Sequence, residues 1–361
     1  MLTRRLNRCL LRPEDLAPTS PELRVVGAFN PGAVEVDGRV VLLVRVAEAA
    51  AEDRCGFVGL PRWVDGRVVI DWVADHELRR VDPRVVETVE DGLTRLTFTS
   101  HLRVVHLTDD LEVDHDALAR CPRFDPAGDG EAFGVEDPRI SRIDEEIYFT
   151  FVAVSRHGAC TALASTRDFV SFRRHGVIFP PENKDVLLFA GRIDGRYAAL
   201  HRPNPRTHFD RPQMWLARSH DLIHWGCHEP VADRAGNSEA TETWKLGRVG
   251  GGCPPVELAD GWLEIYHGNQ RVTSGPGPGV GTYCAAALLL DRDDPSRVVR
   301  RSDAPIMAPQ TAFEREGFVP DVVFPTGVID RGDTLLVFYG AADTVAGVVA
   351  WSKQELLDTM S

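Results

Sequence analysis

Lysine is nearly absent from this chain of 361 residues, which places it only at Lys184, Lys245 and Lys353 and leaves arginine to supply the rest of 41 basic positions. Long apolar runs are absent too. No stretch approaches the roughly 20 residues that a membrane span requires, and Met1 to Leu16 carries Arg4, Arg5 and Arg8 without the apolar core of a signal peptide. The seven cysteines (Cys9, Cys55, Cys121, Cys160, Cys227, Cys253, Cys284) form no CxxC pair, and no histidine stands beside them at metal-ligand spacing. They read as buried thiols of a reducing compartment, so a soluble cytoplasmic protein with no metal and no organic cofactor is expected. A net charge of −13 and a pI near 5.4 argue against a nucleic-acid or anionic-membrane surface, so a bound anion needs a local basic pocket. Long amphipathic helical patterns are also missing, except at Lys353 to Met360, which excludes the common α/β folds.

What recurs instead is a short apolar strand, a tight acidic turn with glycine, and a second apolar or aromatic strand. It occurs at Gly32 to Gly38 leading into Val40–Val46, at Pro138 to Glu145 leading into Ile147–Val152, and at Gly191 to Gly195 leading into Tyr197–Leu200. It returns at Pro255 to Gly261 leading into Trp262–Tyr266 and at Thr326 to Gly332 leading into Thr334–Tyr339. Asp-Gly and its relatives supply the positive φ that a two-residue hairpin needs. A second motif, Ala164-Ser165-Thr166-Arg167-Asp168-Phe169 and Ala217-Arg218-Ser219-His220-Asp221-Leu222, leads to an aromatic, Phe172 or Trp225. Two hairpins per unit make a four-stranded sheet, and five such units predict an all-β, five-bladed β-propeller occupying residues 1–361 as one domain. An insertion or extra strand pair is placed around Ala47 to Gly130, and Ser274 to Gly281 reads as an exposed loop. A pair of β-sandwiches is the alternative.

In a propeller the innermost strands converge, so residues near the start of each unit meet although they are distant in sequence. Those positions hold Asn30, Arg45, Glu136-Asp137-Pro138-Arg139, Asn183-Lys184-Asp185, His201-Arg202-Pro203, Tyr266-His267-Gly268 and Asp343. Carboxylates and cations accumulate there, and Pro138 stiffens the presentation of Asp137. Lys184, so rare a residue in this chain, pairs with Arg174 as a candidate anion clamp, the alternative being two ordinary surface cations. Trp215, Trp244 and Trp262 are either core residues or sugar platforms.

These motifs resemble the mannoside phosphorylases of glycoside hydrolase family 130. The resemblance runs through Phe29-Asn30-Pro31-Gly32-Ala33, Leu43-Val44-Arg45, Gly134 to Arg139, Asn183-Lys184-Asp185, His201-Arg202-Pro203, Gly261 to Gly268, Val323-Phe324-Pro325 and Phe338 to Thr344. It implies inverting attack by inorganic phosphate, a co-substrate, on a β-mannoside, giving α-mannose 1-phosphate. It makes Asp137 the proton donor, acting through a sugar hydroxyl, and puts Arg174, Lys184, His267 and Tyr283 around phosphate. Asn30, Arg45 and Asp343 meet the mannosyl ring, with Glu136, Arg139, Asp185, His201 and Arg202 on the substrate side, although a satisfied structural histidine is the alternative for His201.

Phosphate is already a nucleophile, so a phosphorylase dispenses with the second carboxyl that an inverting hydrolase uses as base. Glu136, Asp185, Glu239 and Glu242 keep an inverting β-mannosidase open as an alternative. An invertase-like furanosidase and a non-catalytic sugar-binding propeller are further ones. Pro203 to Asp210 is expected to help choose the acceptor, with a lean towards β-1,2-linked mannosides, and self-association is left open. The expected partners are a small mannoside and phosphate.

Overall fold

The computed structural model describes residues 1–205, 212–231, 247–270 and 280–361. Glu239, Glu242, Trp244, Lys245, Arg206 to Asp210 of the expected acceptor segment, and most of the loop at Ser274 to Gly281 lie outside them.

Five antiparallel sheets dominate. The first contains Leu23–Val36, Arg39–Ala50, Thr99–His106 and Arg123–Phe124. The second contains Gly134–Ile143, Glu146–Ser155, Gly158–Thr166 and Arg173–Phe179. The third contains Asn183–Ile193, Arg196–Pro203, Trp215–Ser219 and Trp225–Pro230. The fourth contains Arg248–Gly251, Val256–Leu258, Gly261–Asn269, Tyr283–Leu290 and Val298–Arg301. In the fifth, Val323–Arg331, Thr334–Ala341 and Val345–Ser352 are joined by the N-terminal strand Leu6–Leu11, so the two ends of the chain share one sheet. The predicted turns form as expected: Asp37-Gly38 and Asp194-Gly195 have φ of 50° and 77°, and of 51° and 73°, the conformation Asp and Gly tolerate best.

Each sheet is buried on both faces, because alternate side chains of one strand feed two different cores. Leu42 and Val44 pack with Phe338 and Val348 of the fifth sheet, while Val41 and Leu43 pack with Phe149 and Phe151 of the second. Leu163 and Phe179 of the second sheet meet Leu188 and Ala199 of the third, whose Leu187 and Phe189 meet Trp262 and Leu288 of the fourth. Leu263 and Ile265, on the opposite face of the fourth sheet, pack with Val337 and Trp351 of the fifth. Trp262 is therefore core, its ring edge-on to Phe189. Truncating one of these fully buried leucines to alanine costs about 2–5 kcal/mol.

The second sequence motif is a pair of side-chain turns. Asp168 Oδ1 accepts from the backbone N–H groups of Val170 and Ser171, and Asp221 Oδ1 accepts from those of Ile223 and His224. The expected insertion is an excursion at 51–98, between two neighbouring strands of the first sheet. It forms a two-stranded sheet, Phe57–Val64 and Arg67–Ala74, and a three-stranded one, Leu78–Asp82, Val85–Thr88 and Thr94–Leu96. No described helix is long and apolar enough to cross a membrane.

Candidate active site

The leading strands of the first three sheets share a device. The register breaks between Phe29 and Gly32, between Glu136 and Arg139, and between Lys184 and Leu187, and each break contains one residue in the left-handed region: Asn30 at φ 49°, Asp137 at 49° and Asp185 at 55°. Asn and Asp tolerate this conformation better than other side chains, though it still costs about 1–2 kcal/mol. Each bulge turns a polar side chain out of the pleat.

Two of these side chains meet. Asn30 Nδ2 donates to Asp137 Oδ1 at 2.8 Å, and Arg45 donates to the same oxygen from Nη1 at 2.9 Å and to Glu136 Oε1 from Nη2 at 2.8 Å. Arg45 Nε reaches Ser100 Oγ, and its guanidinium lies over Phe29 and Phe98. Burial pushes the Asp137 carboxyl up, but Arg45, then Arg139, the Asn30 bond and Lys184 outweigh it and hold the group below its ordinary value.

Behind Asp137 a buried relay crosses from the second sheet to the fourth. Arg139 donates from Nη1 to the Asp137 carbonyl and from Nε to the Gly252 carbonyl, both at 2.7 Å, and the Gly252 N–H donates to Glu264 Oε1 at 3.1 Å. Only glycine fits at 252, since a Cβ would collide with the Ile265 carbonyl oxygen. Burial raises the Glu264 pKa well above the usual carboxylate range. Asp185 Oδ2 takes Arg202 through Nε at 2.8 Å and Nη2 at 2.7 Å, with His267 Nε2 at 3.5 Å. Despite its burial, Arg202 above all, with Arg139, holds Asp185 far below its usual value. Burial holds His267 neutral, its pKa lowered to about 3 against the pull of Asp185, and neither ring nitrogen has a hydrogen bond. Tyr283 is buried beside it, with Phe324 in contact with both rings.

Lys184 Nζ stands 3.8 Å from Glu136 Oε2, and its side chain, about a third exposed, borders a cavity of about 1080 Å³. The cavity is walled by the accessory sheets (Trp63, Arg95) and by Phe133, Arg156, His157 and Asn204.

One expectation changes at this point. Arg174 is not brought to Lys184: it lies on the outermost strand of the second sheet, following Ile140, Phe149 and Ala164 across the ladder, roughly 14 Å of sheet from the leading strand. Its guanidinium stacks on Phe124 and bonds Glu131 and the Asp125 carbonyl. Of the arginines that do border the cavity with Lys184, Arg62 and Arg95 are paired with Asp71, and Arg156 stands in the hairpin after Glu146–Ser155, where its position in a turn gave no sequence signal. His201 follows the structural one of its two readings and not the sugar-binding one. Its ring nitrogens face Asn183 Nδ2 at 3.0 Å and His228 Nδ1 at 3.1 Å, and it stacks on Phe179, which leaves no nitrogen for a sugar.

Asp343, at φ 49° after the strand Thr334–Ala341, accepts from Arg84 Nη1 through Oδ2 at 3.2 Å. Burial raises the Asp343 pKa, Arg84 and Arg45 only partly offset it, and Asp137 adds to the rise. Arg84 comes from the accessory three-stranded sheet and was not legible in the sequence.

A family model described as β-1,4-mannooligosaccharide phosphorylase matches residues 103–361. The chain is 36% identical over 342 residues, 93% of its length and 91% of the relative's, to a β-1,2-mannobiose phosphorylase of Listeria innocua. It is also 36% identical over 229 residues, 63% of this chain and 71% of the other, to a 1,2-β-oligomannan phosphorylase of a Thermoanaerobacter species. The solved structure of a Listeria innocua β-1,2-mannobiose phosphorylase with β-1,2-mannobiose superposes with a TM-score of 0.86 at 33% identity, covering 97% of this chain and 96% of that one.

Proposed function

Because the chain belongs to glycoside hydrolase family 130, the family of the β-mannoside phosphorylases, we infer that it cleaves a β-mannoside with inorganic phosphate and releases α-mannose 1-phosphate with inversion. The observation that carries this reading is the state of the carboxylates around Asp137. Glu136 is bonded by Arg45, Asp185 by Arg202 and Asp343 by Arg84. An inverting hydrolase needs a second carboxyl free to deprotonate water. Among the described residues each of these neighbours is ion-paired with arginine, Asp343 through Oδ2 alone, whereas Lys184 and Arg156 face an open cavity that suits an incoming oxyanion.

Asn30 and Arg45 both donate to Oδ1 of Asp137, so Oδ2 is the oxygen left to carry a proton. A phosphate dianion arriving near Lys184 offsets the positive field that keeps the carboxyl ionised and so raises its proton affinity. The proton passes from Asp137 through a sugar hydroxyl to the glycosidic oxygen as the bond from that oxygen to the anomeric carbon breaks. A phosphate oxygen bonds the same carbon from the opposite face, the leaving saccharide departs as an alcohol, and Asp137 recovers its proton from solvent. In this reading Asn30, Arg45 and Asp343 hold the mannosyl ring, and Lys184 and Arg156 hold phosphate. Glu136, Arg139, Asp185, Arg202 and His201 fix the frame.

The five sheets are the blades of one five-bladed propeller spanning 1–361. The support is the sequence of contacts: Val323–Arg331 packs on Leu23–Val36, which packs on Gly134–Ile143, then on Asn183–Ile193, then on Arg248–Gly251, and the fourth sheet packs back on Val323–Arg331. The substrate cleaved is a β-1,2-linked mannoside, a choice supported by the identity to the Listeria innocua enzyme over 93% of the chain. Seven free thiols suit a reducing compartment such as the cytoplasm.

The test is product analysis over β-1,2- and β-1,4-mannobiose and mannosylglucose, with and without phosphate. Mannose 1-phosphate formed only with phosphate, fastest from β-1,2-mannobiose, is expected. Undiminished release of free mannose in phosphate-free buffer would establish a hydrolase instead.

A further inference from the structure

The excursion at 51–98 interrupts the first sheet, yet it delivers one side chain to Asp343. Arg84 sits in the turn between Leu78–Asp82 and Val85–Thr88, and Asp82 holds it by three bonds: backbone N–H to Oδ1 at 2.7 Å, Nε to Oδ1 at 3.3 Å and Nη2 to Oδ2 at 3.0 Å. That fork fixes the guanidinium plane and leaves Nη1 to reach Asp343 Oδ2, 259 residues away in sequence. The Asp343 backbone is fixed as well: its carbonyl abuts Gly27, and the next residue, Thr344, accepts from the N–H groups of Ala28 and Phe318. Among the described residues no hydrogen bond reaches Asp343 Oδ1.

We propose that Arg84 is a positioning residue for the mannosyl site, keeping Asp343 ionised and aimed so that Oδ1 accepts a sugar hydroxyl, and that this is what the accessory sheet contributes to the reaction. The proposal rests on the reading that Asp343 meets the mannosyl ring. The charged groups that bear on Asp343 are Arg84 from the accessory sheet, Arg45 from the first sheet and Asp137 from the second, with Tyr283 of the fourth sheet facing Arg84. Two cations favour the carboxylate, one anion opposes it, and burial opposes it further. Removing Arg84 leaves Arg45 as the sole favourable partner, and Arg45 is already committed to Asp137 and Glu136. Asp343 then takes up a proton at higher pH and loses its aim.

The experiment compares pH profiles of kcat/KM for mannobiose phosphorolysis in wild type, Arg84→Gln, Arg84→Lys, Asp343→Asn and Arg79→Gln. Arg79 lies on the same accessory sheet, paired with Glu87, and serves as a control for a general charge effect. Arg84→Gln is expected to lower kcat/KM at pH 7 by roughly tenfold or more, chiefly through KM for the mannoside, and to move the acidic limb upward by about one pH unit. Arg84→Lys should move that limb back towards wild type, and Arg79→Gln should leave it in place. An acidic limb unmoved in Arg84→Gln while Asp343→Asn still cripples the enzyme would overturn the role of Arg84 and leave that of Asp343 standing. An Asp343→Asn variant as active as wild type would remove the underlying reading instead. Circular dichroism separates loss of fold from loss of aim, and should Arg84→Gln not fold, Arg84→Met is measured in its place, where an unmoved acidic limb would count against the proposal.

Discussion

Arg45 donates to Oδ1 of Asp137 at 2.9 Å across the boundary between two sheets, so the charge state of the proton donor is set by a residue of the neighbouring sheet. The same guanidinium holds Glu136, which prevents the adjacent carboxyl from competing for the proton. A lone acid with one protonatable oxygen is the outcome.

Asp137→Asn keeps the hydrogen bond from Arg45 but carries no transferable proton. Phosphorolysis should fall by about 10²–10⁴-fold, while phosphate binding measured by calorimetry is retained or tightened because one negative charge has gone. Near-normal turnover would remove Asp137 from the mechanism.

Lys184→Ala and Arg156→Ala should each raise KM for phosphate by roughly tenfold or more, since a charge-assisted contact contributes about 1.5–3 kcal/mol. Arg174→Ala should leave that KM unchanged and lower thermal stability instead, through the lost Glu131 bond and the bared Phe124 face. Initial rates against phosphate concentration distinguish the two assignments, and a phosphate defect in Arg174→Ala alone would reverse them.

Two buried carboxyls should respond to pH with opposite sign. Asp185 has its folded pKa held below the unfolded value of about 3.9, so its contribution to stability is present above that pH and is lost as pH falls through the folded pKa. Asp185→Asn should therefore destabilise by about 3–5 kcal/mol at neutral pH and flatten the acid side of the stability curve. Glu264 has its folded pKa raised, so above about pH 4.3 the unfolded chain releases a proton that the folded chain keeps, and stability declines as pH rises towards the folded pKa. Glu264→Gln should remove that decline and leave activity near wild type. Urea unfolding between pH 2 and 8 reads both slopes, Asp185 below about pH 4 and Glu264 above it, and a Glu264→Gln curve parallel to wild type would count against a protonated Glu264.

Deletion of residues 1–11 removes the strand that pairs with Val345–Ser352 and uncovers part of the core around Val348 and Ala350. A large fall in melting temperature is expected, with re-addition of the strand as a peptide restoring part of it. An unaltered melting curve would show that the two ends of the chain do not depend on each other.

Much of the site is legible in the amino-acid sequence because its residues are tied to local backbone requirements. Asn30-Pro31, Asp137-Pro138 and Lys184-Asp185 mark bulges on leading strands, and a bulge needs particular residues at one place in the chain. The hairpin turns are legible for the same reason: Asp-Gly satisfies a positive φ wherever it occurs. Arg174 misleads because a basic residue ten positions before Lys184 is near it in sequence but belongs to the outer strand of a different sheet.

Short-range periodicity and backbone preference are enough to specify the strand-and-turn repeat, its five copies and the all-β class, all of them properties of neighbouring residues in the chain, while the role expected of Asp137 comes from the family resemblance. Which cation meets which carboxylate follows only from the folded arrangement: Arg45 reaches Asp137 from the neighbouring sheet, Arg84 reaches Asp343 from an excursion, and Arg156 borders the cavity of Lys184 from a turn. Pairing of charges depends on distance through space, and a chain that returns to its own beginning brings together side chains whose separation in sequence says nothing about that distance.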